Sequence, residues 1–279
     1  MSSLFAIANQ KGGVGKTTTC VNLAAALAAT RKRVLMIDLD PQGNATMGSG
    51  IDKYELTLST YDMLVHQRPV AEVRCFSEAG AYDVLPTNSD LTAAEVELLN
   101  TAHKEKRLSE ALAPVRDEYD FILIDCPPSL NMLTLNGLVA ADSVLIPMQC
   151  EYFALEGLSA LLDTIARVAA TVNPGLHVEG LLRTMYDPRN SLTNEVSAQL
   201  SEHFGEQLYR TVIPRNVRLA EAPSFGQPVI QYDPKSRGAQ AYLALAGEVI
   251  RRRDGAATGS SVADGTGLPS ADALQSSEH

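Results

Sequence analysis

The sequence of 279 residues contains no tryptophan, and aromatic residues make up only 5% of it. Recognition of single-stranded nucleic acid by stacking bases on aromatic rings is therefore not expected. Long apolar runs are also missing: polar residues follow residues 4–8 at once, and Asp163 and Arg167 interrupt the apolar stretch 158–172. Since neither a secretory signal nor a membrane span can be drawn, we expect a cytoplasmic protein that does not bind membranes.

Cysteine is scarce as well, with four residues in the whole sequence. They form no C-x-x-C pair and show no spacing typical of metal ligands, which argues against a disulfide framework or a zinc site. We expect them to be reduced residues in or beside the core. They are Cys20, Cys75, Cys126 and Cys150.

The charge is unevenly distributed along the chain. The net charge of −10 at pH 7 argues at first against nucleic-acid binding. Residues 181–253, however, carry ten Lys/Arg against seven Asp/Glu, whereas residues 1–180 carry 13 against 22 and residues 254–279 carry none against four. Any contact with nucleic acid is therefore expected at the phosphate backbone, through arginines of the segment 181–253.

Apolar, β-branched runs alternate with helical patterns, which predicts an α/β fold. The expected arrangement is a single doubly wound, mostly parallel sheet with helices on both faces. The predicted strands are 4–8, 34–39, 82–85, 121–125, 144–148, 178–184 and 211–213. The predicted helices are 17–29, 91–100, 105–116, 132–140, 154–172, 191–204 and 238–252.

This pattern fills one domain, residues 1–253. Residues 254–279 consist mainly of small and polar residues without any period, and we predict a disordered tail there.

A glycine-rich loop stands between the first predicted strand and the first predicted helix. A strand that turns into a helix in this way points backbone N–H groups and the positive end of the helix dipole at one spot, which suits a nucleotide triphosphate. Lys16 can reach the β- and γ-phosphates, and the Thr17 hydroxyl can ligate Mg²⁺. The predicted phosphate-binding residues are Lys11, Gly12, Gly13, Val14, Gly15, Lys16, Thr17 and Thr18.

The loop departs from the strict pattern G-x-x-x-x-G-K-S/T, because Gln10 stands where the first glycine belongs and Lys11 follows it. Two lysines this close repel each other unless an anion lies between them or one points elsewhere. Lys11 is therefore either a solvated loop residue or a residue that reaches the nucleotide of a second copy of the chain.

Acidic residues follow two further apolar runs. Asp40 ends the run 34–39 and is placed to orient or deprotonate an attacking water. Asp125 ends the run 121–124 in the manner of a Walker B element, where it would hold Mg²⁺. We predict that Thr17, Asp40 and Asp125 form the metal site, and that Asp38 has a structural or supporting role.

The loop K-G-G-V-G-K-T resembles the deviant Walker A motif of the ParA/MinD ATPases. The resemblance continues in D-L-D-P-Q-G-N at 38–44, the family's switch I, and in P-P-S at 127–129, its switch II. It implies that ATP and Mg²⁺ are the cofactors, that Lys11 crosses a dimer interface, and that Asp40 is the hydrolytic residue. Lys11, Lys16 and Asp40 are accordingly the predicted catalytic residues.

Residues 214–224 closely resemble the P-R-N-V-R-L-x-E-A-P-S segment of the chromosomal, Soj-type ParA proteins. This resemblance implies that the start of the segment, Pro214, Arg215 and Asn216, lies against the adenine. It also implies that Arg189 and Arg218 contribute to sequence-independent DNA binding.

The family resemblance implies a weak ATPase that forms a homodimer with ATP and binds double-stranded DNA non-specifically. It would act in chromosome or plasmid segregation, associate with the nucleoid, and be stimulated by a ParB-type centromere-binding protein. Three alternatives stay open: a MinD-type division-site ATPase, disfavoured because no Lys or Arg follows Arg253; an iron–sulfur ATPase of the nitrogenase iron-protein type, with Cys126 beside the switch; and a small-molecule kinase or synthetase.

Overall fold

The computed structural model describes residues 2–151 and 154–259, without the side chains of residues 154–156 and 256–259. Within these residues, seven strands form a single sheet in the order β3-β4-β2-β5-β1-β6-β7. Every neighbouring pair is parallel except β3 and β4. The strands are β1 (Ser3–Ile7), β2 (Val34–Asp38), β3 (Cys75–Ser77), β4 (Tyr82–Leu85), β5 (Phe121–Asp125), β6 (Ser143–Gln149) and β7 (His177–Thr184).

Helices connect the strands and cover both faces of the sheet. They are α1 (Lys16–Ala29), α2 (Asn44–Gly48), α3 (Thr60–His66), α4 (Val70–Val73), α5 (Leu91–Glu97), α6 (Arg107–Leu112), α7 (Met132–Ala140), α8 (Ala154–Thr171), α9 (Ser191–Phe204), α10 (Val217–Glu221), α11 (Val229–Tyr232) and α12 (Arg237–Gly259). No helix in the described ranges is long and apolar enough to cross a membrane.

The core consists of two apolar layers, one on each face of the sheet. Successive strand side chains point to opposite faces, so Ile122 and Ile124 of β5 enter one layer while Phe121 and Leu123 enter the other. Helices α3 to α9 contribute to the first layer, and α1, α2 and α10 to α12 to the second. This arrangement confirms the predicted doubly wound sheet with both faces covered.

The structure corrects one predicted strand. Residues 211–213 are not a strand but an extended segment that touches the sheet edge only at isolated points, such as the bridge between Tyr186 and Pro214. The Thr211 N–H donates to the Glu248 carboxylate over 2.9 Å, and the Thr211 hydroxyl donates to the same oxygen over 2.7 Å. Because a side chain takes up this backbone donor, a regular ladder with β7 does not form.

Other elements differ in extent. The three-residue edge strand β3 and the short helices α2, α3, α4, α10 and α11 are absent from the sequence-based prediction. Helix α12 continues to Gly259, past the predicted domain boundary at residue 253. The rest of the predicted tail, residues 260–279, lies outside the described residues.

Candidate nucleotide site

The candidate site lies at the carboxyl ends of three adjacent strands. Strand β5 pairs with β1 and β2, and the register sets Asp125 opposite Ile7 on one side and Asp38 on the other. The loop that follows β1, the acids that end and follow β2, and Asp125 therefore converge at one edge of the sheet. Ligands of open parallel sheets bind at such an edge.

The loop between β1 and α1 has the backbone of a phosphate cradle. Gly13 and Gly15 have φ angles of 75° and 88°, a left-handed conformation that favours glycine. Gly15 directly precedes α1, and no side chain caps the N-terminus of this helix. The first N–H groups of α1 have no intrahelical acceptor, so they can bind the oxygens of an anion.

Lys16 is buried at the start of α1, with 7% of its surface exposed. Its ammonium donates to the carbonyl of Lys11 over 3.1 Å, which folds the side chain back along the loop. Burial lowers the pKa of Lys16, and the nearby Asp125 partly opposes this. A phosphate group at the loop would stabilise the charged form of this lysine.

Asp125 faces Thr17 across the site. The Thr17 hydroxyl donates to Oδ2 of Asp125 over 2.8 Å, whereas the buried Oδ1 has no hydrogen-bond partner within the described residues. Burial, followed by the proximity of Asp38, raises the pKa of Asp125 well above its ordinary value. A hydroxyl and a carboxylate with an unused oxygen are donors that Mg²⁺ accepts, so both residues fit the predicted metal.

Asp38 and Asp40 have different surroundings. Asp38 is fully buried: its Oδ2 accepts from the N–H and hydroxyl of Thr46 at 2.8 and 2.7 Å, and its Oδ1 accepts from the N–H of Asp40 at 3.1 Å. Burial raises the pKa of Asp38 to about 7, against the effect of these hydrogen bonds. Asp40 is partly exposed, and its Oδ1 accepts from the N–H of Gln42. Asp38 thus fixes the backbone that carries Asp40.

The predicted metal site is not a cluster of acids. Within residues 2–151 and 154–259, no group of three or more His, Cys, Asp or Glu side chains is arranged to hold a metal ion. Thr17 and Asp125 are brought together by a direct hydrogen bond, while Asp40 contributes only its charge to the surroundings of Asp125. The role of Asp40 at the metal stays a prediction.

Lys11 makes an ion pair inside its own chain. Its ammonium lies 2.7 Å from Oε2 of Glu151, and both side chains are a little less than half exposed. Sequence analysis did not find Glu151, because 140 residues separate the two partners. The side chain of Lys11 is therefore held at the surface of the loop, while its backbone carbonyl accepts from the buried Lys16.

A cavity of about 330 Å³ opens beside the loop. Gly15 and Thr18 form one wall, and the predicted base contacts Pro214, Arg215 and Asn216 form another. The lining is largely apolar, and the cavity is large enough for an adenine ring. It also includes three residues that the motifs did not reveal: Thr184, Met185 and Tyr242. Thr184 donates its hydroxyl to the carbonyl of Val14 over 2.7 Å, which ties the end of β7 to the loop.

Comparison with known proteins identifies the family. A family model described as an AAA domain (AAA_31) matches residues 2–178. An uncharacterized protein of Pseudomonas putida is 70% identical over 253 residues, 91% of this chain and 96% of that protein. The chromosome partitioning protein ParA of Caulobacter vibrioides is 53% identical over 251 residues (89% and 94%), and the sporulation initiation inhibitor protein Soj of Bacillus subtilis is 53% identical over 249 residues (89% and 98%). The chain belongs to the ParA/Soj family of P-loop ATPases.

Solved structures share the ParA/Soj fold. A Mycobacterium smegmatis protein described as cobyrinic acid a,c-diamide synthase, with bound ATP analog and magnesium, is 37% identical with a TM-score of 0.80, covering 91% of this chain and 96% of that one. The cell division ATPase MinD of Pyrococcus furiosus is 25% identical with a TM-score of 0.74, covering 91% and 100%.

In this ParA/Soj chain, both predicted DNA-binding arginines are paired with carboxylates. Arg189 binds Asp187 through Nη2 at 2.7 Å and through Nε at 2.9 Å, although its side chain is 88% exposed. These hydrogen bonds lower the pKa of Asp187 to about 2. Arg218 lies 2.7 Å from Glu221 and 3.4 Å from Asp233. The two segments adjoin each other, since the N–H of Tyr186 donates to the carbonyl of Ile213.

The cysteines are free thiols, and Cys20, Cys126 and Cys150 are buried. The side chain of Cys126 points into the core beside α7, where it would touch a Cβ atom at Gly137. It does not face outward toward a second chain, so the geometry gives no support to an iron–sulfur cluster shared between subunits.

Substituting Lys16 with alanine is expected to weaken binding of Mg²⁺-ADP by about tenfold or more, because the buried ammonium beside the cradle is lost. Lys11→Ala is the matched control: the side chain of Lys11 is held at the surface of the loop by Glu151, so ADP affinity should change little. Isothermal titration calorimetry measures both. Undiminished affinity in the Lys16 variant would refute the assignment of the loop.

Proposed function

We propose that this protein is a chromosome-partitioning ATPase of the ParA/Soj type, which dimerises with ATP and Mg²⁺ and then binds DNA without sequence specificity. The observation that carries the proposal is the hydrogen bond between Thr17 and Asp125 at the mouth of the glycine-rich loop. It joins the two elements that a P-loop ATPase needs for its metal, next to a cavity that suits a base.

Nucleotide binding follows from the cradle and its surroundings. The N–H groups at the start of α1 and the ammonium of Lys16 would bind the phosphates, while Pro214, Arg215 and Asn216 would contact the base. Thr17 and Asp125 would hold Mg²⁺, which, when bound, neutralises charge on the phosphates. The raised pKa of Asp125 applies to the chain without a bound metal. A cation beside the unpaired Oδ1 would stabilise the carboxylate and so lower this pKa.

Hydrolysis would depend on Asp40. Its carboxylate is partly exposed, and its backbone N–H is held by the buried Asp38. A carboxylate fixed in this way can orient a water molecule and accept its proton, an effect worth roughly 10²- to 10⁴-fold in rate.

Dimerisation would require Lys11 to exchange partners. An exposed ion pair such as the one between Lys11 and Glu151 is worth about 0–1 kcal/mol, so the triphosphate of a second subunit can compete for the ammonium. The active site of one chain would then be completed by the partner.

DNA binding would use the surface around Arg189 and Arg218. Their carboxylate partners are partly exposed, so phosphate oxygens can replace them at little cost. A dimer presents this surface twice, and log K for B-DNA falls by about 0.9 per contacted phosphate for each log unit of salt. A weakly basic monomer can therefore bind poorly while its dimer binds well.

A ParB-type protein would stimulate hydrolysis and release the DNA, and the ATP-bound protein would associate with the nucleoid in the cytoplasm.

The competing functions have weaker support. ParA of Caulobacter vibrioides and Soj of Bacillus subtilis are each 53% identical to this chain, compared with 37% for the structure described as a synthase and 25% for MinD of Pyrococcus furiosus. Cargo that is a plasmid rather than a chromosome would use the same chemistry.

Asp40→Ala is expected to bind ATP and dimerise normally but to hydrolyse roughly 10²- to 10⁴-fold more slowly, because the attacking water loses its base. Phosphate release under single-turnover conditions measures the rate. Glu55→Ala, which removes an exposed carboxylate from the loop after α2, is the matched control. Normal turnover in the Asp40 variant would rule out this role.

Changing both Arg189 and Arg218 to glutamate is expected to abolish retention of duplex DNA while ATP-driven dimerisation persists, because phosphate attraction becomes repulsion. Electrophoretic mobility shifts with ATP, with ADP and without nucleotide, across a salt series, measure retention. Arg167→Glu changes an exposed arginine on α8 and should leave retention intact. DNA binding that survives the double change would point to another surface.

A further inference from the structure

A second cavity lies on the outer side of the edge strand β7, apart from the nucleotide site. Its volume is about 600 Å³, and β7, α9 and the last turns of α12 contribute to its walls. None of its lining residues lines the cavity beside the glycine-rich loop. Its charged lining consists of four arginines and two glutamates: Arg183, Arg210, Arg251, Arg252, Glu206 and Glu248.

One glutamate is fully occupied by hydrogen bonds. Oε1 of Glu248 accepts from the N–H of Arg210 at 2.9 Å and from Arg252 at 3.1 Å; Oε2 accepts from the N–H and hydroxyl of Thr211. Burial opposes the charged form, but the hydrogen bonds outweigh it and lower the pKa of Glu248. The carboxylate therefore neutralises Arg252, whose guanidinium also stacks 4.0 Å from the centre of the Tyr209 ring.

The other three arginines are not neutralised in this way. Arg183 donates to Ser197 and to the carbonyl of Tyr209, and its buried Nε has no hydrogen-bond partner in the described ranges. Arg210 and Arg251 are exposed, and neither guanidinium forms a hydrogen bond or ion pair within the part of the chain that the structure describes. Of the two glutamates that line the cavity, only Glu206 is left to oppose their charge, because Glu248 is paired with Arg252.

The cavity therefore carries an excess of two positive charges, four arginines against two glutamates, on a chain whose net charge is −10. Guanidinium groups are planar, always charged and weakly hydrated, and they bind phosphate oxygens in pairs of parallel hydrogen bonds. Arg210 and Arg251 have these donors unused.

We propose that this cavity is a phosphate-binding site. Arg210 and Arg251 bind the anion, and Arg183 adds a further positive charge to the cavity wall. The phosphate could belong to a free polyphosphate or to the DNA backbone, because β7 is also the strand that leads to Arg189. Binding of a free polyphosphate there does not depend on the proposed ATPase function, since the cavity shares no residue with the nucleotide site, whereas binding of DNA phosphates rests on the DNA binding proposed above.

The first test uses inorganic triphosphate as the probe. Calorimetric titration is carried out on the full chain carrying Lys16→Ala, so that the glycine-rich loop does not contribute. We expect one binding site per chain, weakened about tenfold or more by Arg210→Gln with Arg251→Gln. Arg167→Gln is the matched control and should have no effect. Absence of binding, or binding unchanged by the double substitution, would overturn the proposal.

A second variant separates charge from folding. Glu206→Gln removes the opposing carboxylate, so triphosphate should bind more tightly if the cavity is the site, whereas loss of structure would weaken binding. A triphosphate affinity that does not rise in this variant would count against the proposal. Circular dichroism checks that all variants keep the fold.

The third measurement identifies the source of the phosphate. Retention of a duplex by the ATP-bound protein, with Lys16 intact, is compared between wild type and the Arg210→Gln, Arg251→Gln variant. A drop in retention with a smaller salt slope would assign the site to DNA phosphates, and unchanged retention would assign it to a free polyphosphate. Since Arg189 and Arg218 are unchanged, failure here leaves the proposed DNA surface untouched.

Discussion

The position of β5 between β1 and β2 is the constraint on which the candidate site depends. Parallel pairing sets Asp125 beside Ile7 and Asp38, so the loop after β1 and the acids of β2 and β5 must meet. Two buried carboxylates at one point are costly unless cations or hydrogen bonds compensate them. Thr46 and the backbone of Asp40 compensate Asp38. Asp125 lies near the ammonium of Lys16, but among the described residues it accepts a hydrogen bond only from Thr17 and keeps an unpaired oxygen. The fold thus leaves a carboxylate that a cation would stabilise, at the place where a nucleotide would bring one.

A second feature of this molecule is that the cations proposed to act in dimerisation and DNA binding are already paired with carboxylates. Lys11 is paired with Glu151, Arg189 with Asp187, and Arg218 with Glu221 and Asp233. Each pair is at least partly exposed, so each is weak and screened by salt. Anions such as a triphosphate or DNA can replace the carboxylates. We infer that these cations stay paired within the single chain until nucleotide or DNA competes for them.

Much of the site could be predicted from sequence because its residues stand at fixed places relative to strand ends. The spacing of the glycines, Lys16 and Thr17 defines the loop locally, and a parallel sheet brings Asp125 to it without further information. The sheet itself followed from the alternation of apolar runs and helical patterns. The resemblance at residues 214–216 led to one wall of the cavity beside Gly15 and Thr18, where we propose that the base binds.

Contacts between distant side chains could not be predicted in this way. Tertiary packing brings three further residues to the site, and no local sequence pattern predicts them there: Glu151, Thr184 and Tyr242. The prediction of a strand at 211–213 was wrong for the same reason, because the carboxylate of Glu248 on α12 accepts from the backbone N–H of Thr211. The charge count found the positive segment, but only the structure separates the paired Arg189 and Arg218 from Arg210 and Arg251, which line the second cavity.

In the proposed dimer, one chain holds half of an active site, and Lys11 of the partner completes it. Multi-angle light scattering of wild type and Lys11→Ala, each saturated with Mg²⁺ and a non-hydrolysable ATP analogue, measures this dependence on Lys11. We expect that the wild type doubles its mass with the analogue but not with ADP, while the variant binds the analogue and stays a monomer. A wild type that stays monomeric, or a variant that dimerises as tightly as the wild type, would rule out a shared active site.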